Sequence, residues 1–452
     1  MNTSTPSGRE GFSTKFGIIC AAAGSAIGLG NIWRFPYMAG EHGGGAFLMF
    51  YLGIILVLGI PVMLSEFIIG RRGQKNTFGT FRILAPGKAW WIIGVMGIVA
   101  AFVILAFYTT IAGWTLAYIS KSVGNVFQGS SAEGISMIFD EFHKGTFWPL
   151  FWQFVFMLMT VLIVFAGVKK GIEKSNKVLM PLLALLLVII AIRSVTLPGS
   201  GAGLRFLFFP DFSQINAGVI YAALGQAFFS LSVGMGAMIT YGSYIGKKNN
   251  LASIATQVPL ADTIIATLAG VAIFPAVFAF GLNPGEGPGL VFHVLPQVFL
   301  QMPGGYFISI LFFILLAIAA LTSAISILEV VVAFLIEEFK ITRTKATIMA
   351  SVSALFVGVF STLSFGVLSH LTIGNLNFFG FLDFTASKIM LPLGGLLIVI
   401  FLGWVMKASD VKDELSNGGV LKVRLFNAFW FIIRFIAPVA ISIIFLNSVG
   451  II

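Results

Sequence analysis

The residue with the most chemistry to offer is Asp262, an acid carried inside the apolar run LASIATQVPLADTIIATLAG. About ten residues into a helix it would lie roughly 15 Å deep at the usual helical rise. A charge at the centre of a bilayer is costly, so an acid kept there is a functional candidate by default. Two glycine pairs sit at comparable depth in other apolar runs: Gly28 and Gly30 in GSAIGLGNIWRF, and Gly234 and Gly236 in FFSLSVGMGAM. Each glycine weakens a helix by roughly 1 kcal/mol relative to alanine. Close packing between membrane helices would explain either pair alone. Both pairs at corresponding places favour two interrupted helices, because irregular backbone at that depth survives only against protein or a polar cavity. Cys20, His42, His143, His293 and His370 show no metal-ligand or nucleophile spacing. The chain carries no metal motif, nucleophile elbow or phosphate loop, so an enzyme is the poorest match.

The elements that must position these residues are membrane helices. The chain is 58% hydrophobic and 10% charged, against about 25% charged in soluble domains. Residues 1–15 are polar, with no cleavable leader expected, and one cysteine excludes an intrachain disulfide. Spanning a bilayer takes about 20 apolar residues. Runs of that kind predict eleven spans, at 12–40, 44–70, 90–120, 147–166, 173–192, 214–245, 252–281, 305–336, 346–369, 375–406 and 426–450. Twenty Lys and Arg fall in the loops on the N-terminal side, such as Arg71, Arg72, Lys169 and Lys170, and only Lys121, Lys144, Arg193 and Arg205 on the other. The positive-inside rule then sets the N-terminus in the cytoplasm and the C-terminus outside a plasma membrane. The net charge of +10 follows these loops rather than forming one patch, so nucleic acid is not an expected partner. Spans one and six, each interrupted, predict an all-α membrane protein built on a 5+5 inverted repeat. Residues 1–11 form a cytoplasmic segment, 12–192 the first repeat, 214–406 the second, and 426–450 an additional helix.

GSAIGLGNIWRFPY, followed by EHGGGAF (Glu41 to Phe47), resembles the first-helix signature of the neurotransmitter:sodium symporters. GQAFFSLSVGMG (Gly225 to Gly236) resembles their sixth helix and ALTSAISILE (Ala320 to Glu329) their eighth, and the match runs in order from Arg9 to Asp383. The resemblance is to bacterial, leucine-transporter-like members. It implies sodium-coupled symport of neutral hydrophobic L-amino acids, aliphatic to aromatic, by alternating access. Many relatives have twelve helices, so ending after eleven leaves the oligomeric state open.

The resemblance places a first sodium at the carbonyl of Ala26 with Asn31, Ser230, Asp262 and the substrate carboxylate. It places a second at the carbonyls of Gly24, Ile27 and Ala319 with the hydroxyls of Thr322 and Ser323. On spacing alone, Thr322 and Ser323 serve equally as helix–helix hydrogen-bonders. The family often has asparagine near Asp262, with chloride balancing the sodium charge; a register shift of one would put Ala261 there instead. An aspartate supplies the negative charge internally, which implies chloride-independent transport, with Asp262 taking up a proton when sodium leaves. The substrate carboxylate would meet Ala26, Leu29, Gly30 and Tyr108, at a half-helix dipole that suits an anion. Carbonyls near Phe229 and Ser232 would meet the ammonium. Tyr108 read alone is equally a packing aromatic. Ile104, Phe229, Ser230, Ser232, Met235, Ser323, Ser326 and Ile327 would complete an uncharged pocket, in which Met235 adapts to several side-chain shapes.

The resemblance also implies two gates. Arg34 and Asp383 would close the outside, with Gln226 bridging them and Phe229 as lid. Arg9 and Glu337 would close the inside, with Phe12 and Tyr244 packed nearby, although both charges also suit a solvated cytoplasmic edge. Gly171 and Pro181 stand ten residues apart at the start of span five. They read either as a segment that unwinds to admit water to the second sodium or as a capped, kinked helix start. Lys388 and Arg434 lie in spans without an evident role. A sensor of the same fold that binds without transporting is the main rival, and a proton-driven transporter the second.

Overall fold

The computed structural model describes residues 11–285 and 290–451. Among these, nine helices are each long and apolar enough to cross a membrane: Gly45–Gly73, Trp91–Val123, Phe147–Phe165, Val168–Val195, Leu251–Ala279, Gly305–Phe339, Arg343–Leu363, Phe378–Val405 and Phe426–Asn447. Two further paths are interrupted. Lys15–Ala26 and Gly30–Glu41 form one span bent by 51°, and Ala217–Ser230 is followed by irregular residues 231–236 and then by Ala237–Ser243. Their order agrees with the eleven predicted spans. The eighth span is the centre of the protein, its most apolar stretch being 83% buried, whereas the last is 28% buried and turns its side chains outward. In a bilayer that outward face meets lipid tails, so apolar exposure on it carries no penalty.

The two interruptions have different local causes. In span one the helix ends at Ala26 and Ile27 turns extended (φ −75°, ψ 100°). The Asn31 side chain then accepts from Gly28 N at 3.1 Å, satisfying a backbone donor that the break frees. Gly28 has no positive φ; its missing Cβ makes room, since an added one would lie 2.3 Å from Ser323 Oγ and 3.0 Å from the Tyr108 hydroxyl. In span six the backbone itself needs glycine. Ser232, Gly234 and Gly236 all have positive φ (53°, 89° and 76°), a region that costs ordinary residues roughly 1–2 kcal/mol.

Several elements lie outside the sequence expectation. Short helices Thr77–Leu84, Ala132–Lys144, Gly201–Phe208, Val294–Gln301 and Ala408–Ser416 run between the spans. A two-residue hairpin pairs Thr372–Ile373 with Leu376–Asn377, so span nine stops at Leu363 and span ten begins at Phe378. These are too short and too polar to stand out in a search for membrane-length apolar runs. One of them carries a buried ion pair. Arg71, at the end of span two, meets Glu414 at 2.8 Å with side chains 0% and 2% exposed. Arg71 also donates to Asn249 O at 2.8 Å and to Asn417 Oδ1 at 3.1 Å. Removing one partner strands a buried charge, so Arg71→Ala should destabilise the fold by about 3–5 kcal/mol. Thermal unfolding of the purified variant in detergent checks this, with Glu414→Gln expected to do less harm because its amide still accepts.

Candidate functional site

The breaks of spans one and six face each other, and Asp262 of span seven closes the space between them. Asp262 is fully buried. Its carboxylate accepts from Ser230 Oγ at 2.7 and 2.9 Å, from Asn31 Nδ2 at 2.8 Å and from the Tyr51 hydroxyl at 3.1 Å. None of these donors is a cation. A buried carboxylate with only neutral partners is undercompensated by several kcal/mol, and it suits a bound cation or a proton. Asn31, Ser230 and Asp262 are thus brought together as expected, and Ala26 is the last residue of the helix before the break. The Asp262 carboxylate and the Ser230 hydroxyl are hard oxygens, the ligand type an alkali cation takes, while Asn31 turns its Nδ2 to them and its Oδ1 to Gly28 N.

A second cluster of oxygens lies on the other side of the span-one break. Thr322 Oγ1 is 3.0 Å from Ala319 O and 3.5 Å from Ile27 O. Ser323 Oγ is 3.3 Å from Gly24 O, 3.4 Å from Ile27 O and 3.1 Å from Ser25 O. All five residues named for a second ion converge here, in a space with more acceptors than donors.

Above the breaks lies a cavity of about 400 Å³, lined by Leu29, Tyr108, Phe229, Arg34 and Asp383 with further aromatics such as Trp33 and Phe107. The Tyr108 hydroxyl accepts from Leu29 N at 3.2 Å, tying span three to the break. Ile104, Met235, Ser323, Ser326 and Ile327 are buried beneath this cavity rather than lining it. Ser232 is turned by its positive φ to donate to Ser25 O at 2.9 Å, and Ser326 accepts from the Tyr241 hydroxyl at 2.7 Å. Both hydroxyls are committed to holding elements together. Gly30 faces the Phe229 ring, which an added Cβ would approach to 3.2 Å.

The outer charges share the cavity without pairing. Arg34 donates to Gln226 Oε1 at 3.1 Å and lies over the Phe229 ring at 4.6 Å, while Asp383 accepts from Ser387 Oγ at 2.8 Å. Gln226 reaches back to Gly30 O at 2.7 Å, so it anchors Arg34 to span one instead of bridging to Asp383. The expected Arg34–Asp383 pair is absent from this conformation because Arg34 leans toward span six.

On the inner side, Arg9 lies outside the described residues. Phe12 packs edge-on against Tyr241 and Tyr244, with ring centroids 5.4 and 6.0 Å apart. Glu337 accepts from Asn76 N and Nδ2 at 2.8 and 3.1 Å. The Tyr244 hydroxyl donates to Glu329 at 2.8 Å, and Glu329 also takes Arg343 Nη1 at 3.3 Å. Glu329 is therefore an anchor at this end that the motif contained and sequence reasoning left without a role. Gly171 and Pro181 lie in one continuous helix, which opens with wide π-type turns over Val168–Glu173. Gly171 is also needed for packing, since an added Cβ would lie 2.0 Å from Ile163 O.

Tyr51 and Glu66 were missed as well. Glu66 is fully buried in span two and accepts from Gly234 N at 2.7 Å, holding the span-six break in place. It is an intramembrane acid like Asp262, and the same rule would have found it. No comparable signal marked Tyr51, one tyrosine in an apolar run.

Interrupted helices that meet at mid-span around converging oxygens define a secondary transporter of the leucine-transporter-like fold, and not an enzyme. The chain belongs to the sodium:neurotransmitter symporter family, whose model matches residues 9–132 and 144–451. It is 42% identical over 440 residues to an uncharacterized sodium-dependent transporter of Bacillus subtilis (strain 168), YhdH, covering 97% of this chain and 98% of that one. An uncharacterized sodium-dependent transporter of Haemophilus influenzae is 38% identical over 452 residues, covering 97% and 98%. The crystal structure of MhsT in complex with L-phenylalanine superposes with a TM-score of 0.91 at 50% identity, covering 98% of this chain and 100% of that one. The protein is thus a multi-pass, sodium-dependent membrane symporter.

Proposed function

We propose that this symporter moves neutral hydrophobic L-amino acids, aliphatic to aromatic, into the cell with two sodium ions. The observation that carries this is the convergence of uncharged oxygens and the Asp262 carboxylate around two breaks, beneath a largely apolar cavity. The likeness to a structure solved with L-phenylalanine supports the substrate class. Asn31, Ser230, Asp262 and the Ala26 carbonyl would hold the first ion together with the substrate carboxylate. Gly24, Ile27, Ala319, Thr322 and Ser323 would hold the second. Sodium supplies charge neutralisation, and this chain supplies the oxygens, the half-helix dipole and a dry surround. Tyr108 orients the substrate carboxylate, and Met235 with Ile104 shapes the deeper end as the site closes.

Asp262 makes chloride unnecessary on this reading, and a proton replaces sodium on the return step. Spans one to five and six to ten act as two inverted repeats, with the N-terminus cytoplasmic. Closure brings Arg34 onto Asp383 with Phe229 as lid, and the inner end opens at Phe12, Tyr244 and Glu337 with the Gly171–Pro181 stretch unwinding. About 2.3 kcal/mol is available per charge per 100 mV, so two sodium ions supply roughly 4.6 kcal/mol. Without a returning proton that sustains on the order of a thousandfold gradient of a zwitterion; a proton carried outward cancels one of the two charges and reduces the electrical part to about 2.3 kcal/mol.

Reconstitution into vesicles tests the proposal. Labelled phenylalanine should accumulate above its external concentration with sodium outside and not with potassium. Binding without accumulation would instead identify a sensor. Tyr108→Phe should cost about 1–3 kcal/mol of substrate affinity by removing the hydroxyl, read as a raised half-saturating phenylalanine concentration at unchanged sodium midpoint.

A further inference from the structure

Asn176 lies in span five, among the first residues after the wide turns that end at Glu173, and is 0% exposed. Its Nδ2 donates to Ile172 O at 2.9 Å. That bond fixes the amide, since a flipped side chain would set two oxygens against each other. Oδ1 therefore points away from its own helix, and it is buried without a hydrogen-bond partner. It points at the second oxygen cluster. A Cβ added to Gly24 would sit 2.2 Å from Asn176 Oδ1 and 3.3 Å from Thr322 Cβ, so Oδ1 shares one small space with Gly24 and Thr322.

A buried acceptor without a donor costs about 1–3 kcal/mol, and such a group in a folded protein calls for a partner. The neighbours cannot provide one. Thr322 already donates to carbonyls of its own helix at 3.0 and 3.1 Å, and Ser323 is turned to carbonyls of span one at 3.1–3.4 Å. The carbonyls of Gly24, Ile27 and Ala319 that gather around these two hydroxyls are acceptors too, and a group of acceptors is completed by a cation.

We infer that Asn176 Oδ1 is a further oxygen for the cation of the second cluster, directly or through one water, contributed by span five. This rests on the reading of that cluster as a sodium site. It makes the ion a tie between spans one, five and eight, which adds to the Ser13 and Thr14 bonds on Glu173 in holding the cytoplasmic end of span five.

The test is the sodium concentration that half-maximally raises the melting temperature of the purified, full-length protein at saturating L-phenylalanine, with potassium chloride keeping ionic strength constant. Asn176→Ala should raise that midpoint about fivefold, the equivalent of about 1 kcal/mol, while leaving the melting temperature in potassium alone near that of the parent. Asn176→Asp, which keeps an oxygen and adds charge, should hold or lower the midpoint. Thr322→Ala serves as the reference and should raise it. If Thr322→Ala raises the midpoint and Asn176→Ala leaves it at the parent value, Asn176 is a packing residue and the inference is overturned while the second site stands. If neither shifts it, the second site itself is wrong. Should the alanine variant fail to fold, a raised midpoint for Asn176→Asp overturns the inference equally.

Discussion

Asp262→Asn should make transport chloride-dependent. The parent protein is expected to take up phenylalanine equally in sodium chloride and sodium gluconate, because in the proposed site the charge that balances the first sodium is the carboxylate of Asp262 in span seven. The asparagine side chain keeps an oxygen for the ion and remains within reach of Ser230, Asn31 and Tyr51, which now contact the carboxylate at 2.7–3.1 Å. It removes the charge. An uncompensated charge in such a buried place costs roughly 3 kcal/mol or more, about a hundredfold in sodium affinity. A chloride ion entering beside Tyr51 and Ser230 would restore much of that. Uptake by the variant should therefore be near background in gluconate and recover in chloride. Full chloride-independent uptake by Asp262→Asn would show that the carboxylate is not the compensating charge.

Gly234→Ala should abolish transport by closing off the span-six break. At φ 89° an alanine is strained, and its Cβ would lie 2.4 Å from the carbonyl oxygen of Leu391, a backbone atom that cannot rotate away. The strain alone is worth roughly 1–2 kcal/mol. Relief requires shifting span ten or rewinding residues 231–236, and either would pull Gly234 N from Glu66, now at 2.7 Å. Uptake in vesicles should fall to background while insertion into the membrane persists. The companion Gly28→Ala should also be severe, but through contact with Ser323 and Tyr108 rather than backbone strain, so shortening Ser323 to alanine should partly restore its thermal stability, though not its uptake, because Ser323 also belongs to the second oxygen cluster. Gly234→Ala should have no such single-residue rescue. Robust uptake by Gly234→Ala would mean that this break is dispensable.

What could be read from the residues divides by distance along the chain. Spans were legible because membrane-length apolar runs and loop charges are local signals, and the eleven paths fall in the predicted order. The two breaks were legible because glycine pairs at matched depths are also local. Asp262 with Asn31, and Thr322 with Gly24 and Ile27, came from motif resemblance and converge in space. The failures involve tertiary choices. Arg34 and Asp383 approach the same cavity, yet Arg34 satisfies itself on Gln226 and the Phe229 ring, an outcome spacing cannot predict. Ser232 and Ser326 look like pocket hydroxyls in sequence but are spent on Ser25 and Tyr241. Glu329, paired with Arg343 and Tyr244, and Arg71, paired with Glu414 across the fold, depend on partners far apart in the chain. The amphipathic short helices were passed over because a search tuned to membrane-length runs has no window for them.

Binding of labelled L-phenylalanine to the purified protein, with sodium exchanged for choline at constant ionic strength, tests most directly whether these broken helices form one ion-coupled site. Saturable binding should occur in sodium and vanish in choline, and Asp262→Ala and Thr322→Ala should each weaken it independently. Equal binding in choline would mean that the oxygens gathered around the two breaks hold no ion that the substrate needs.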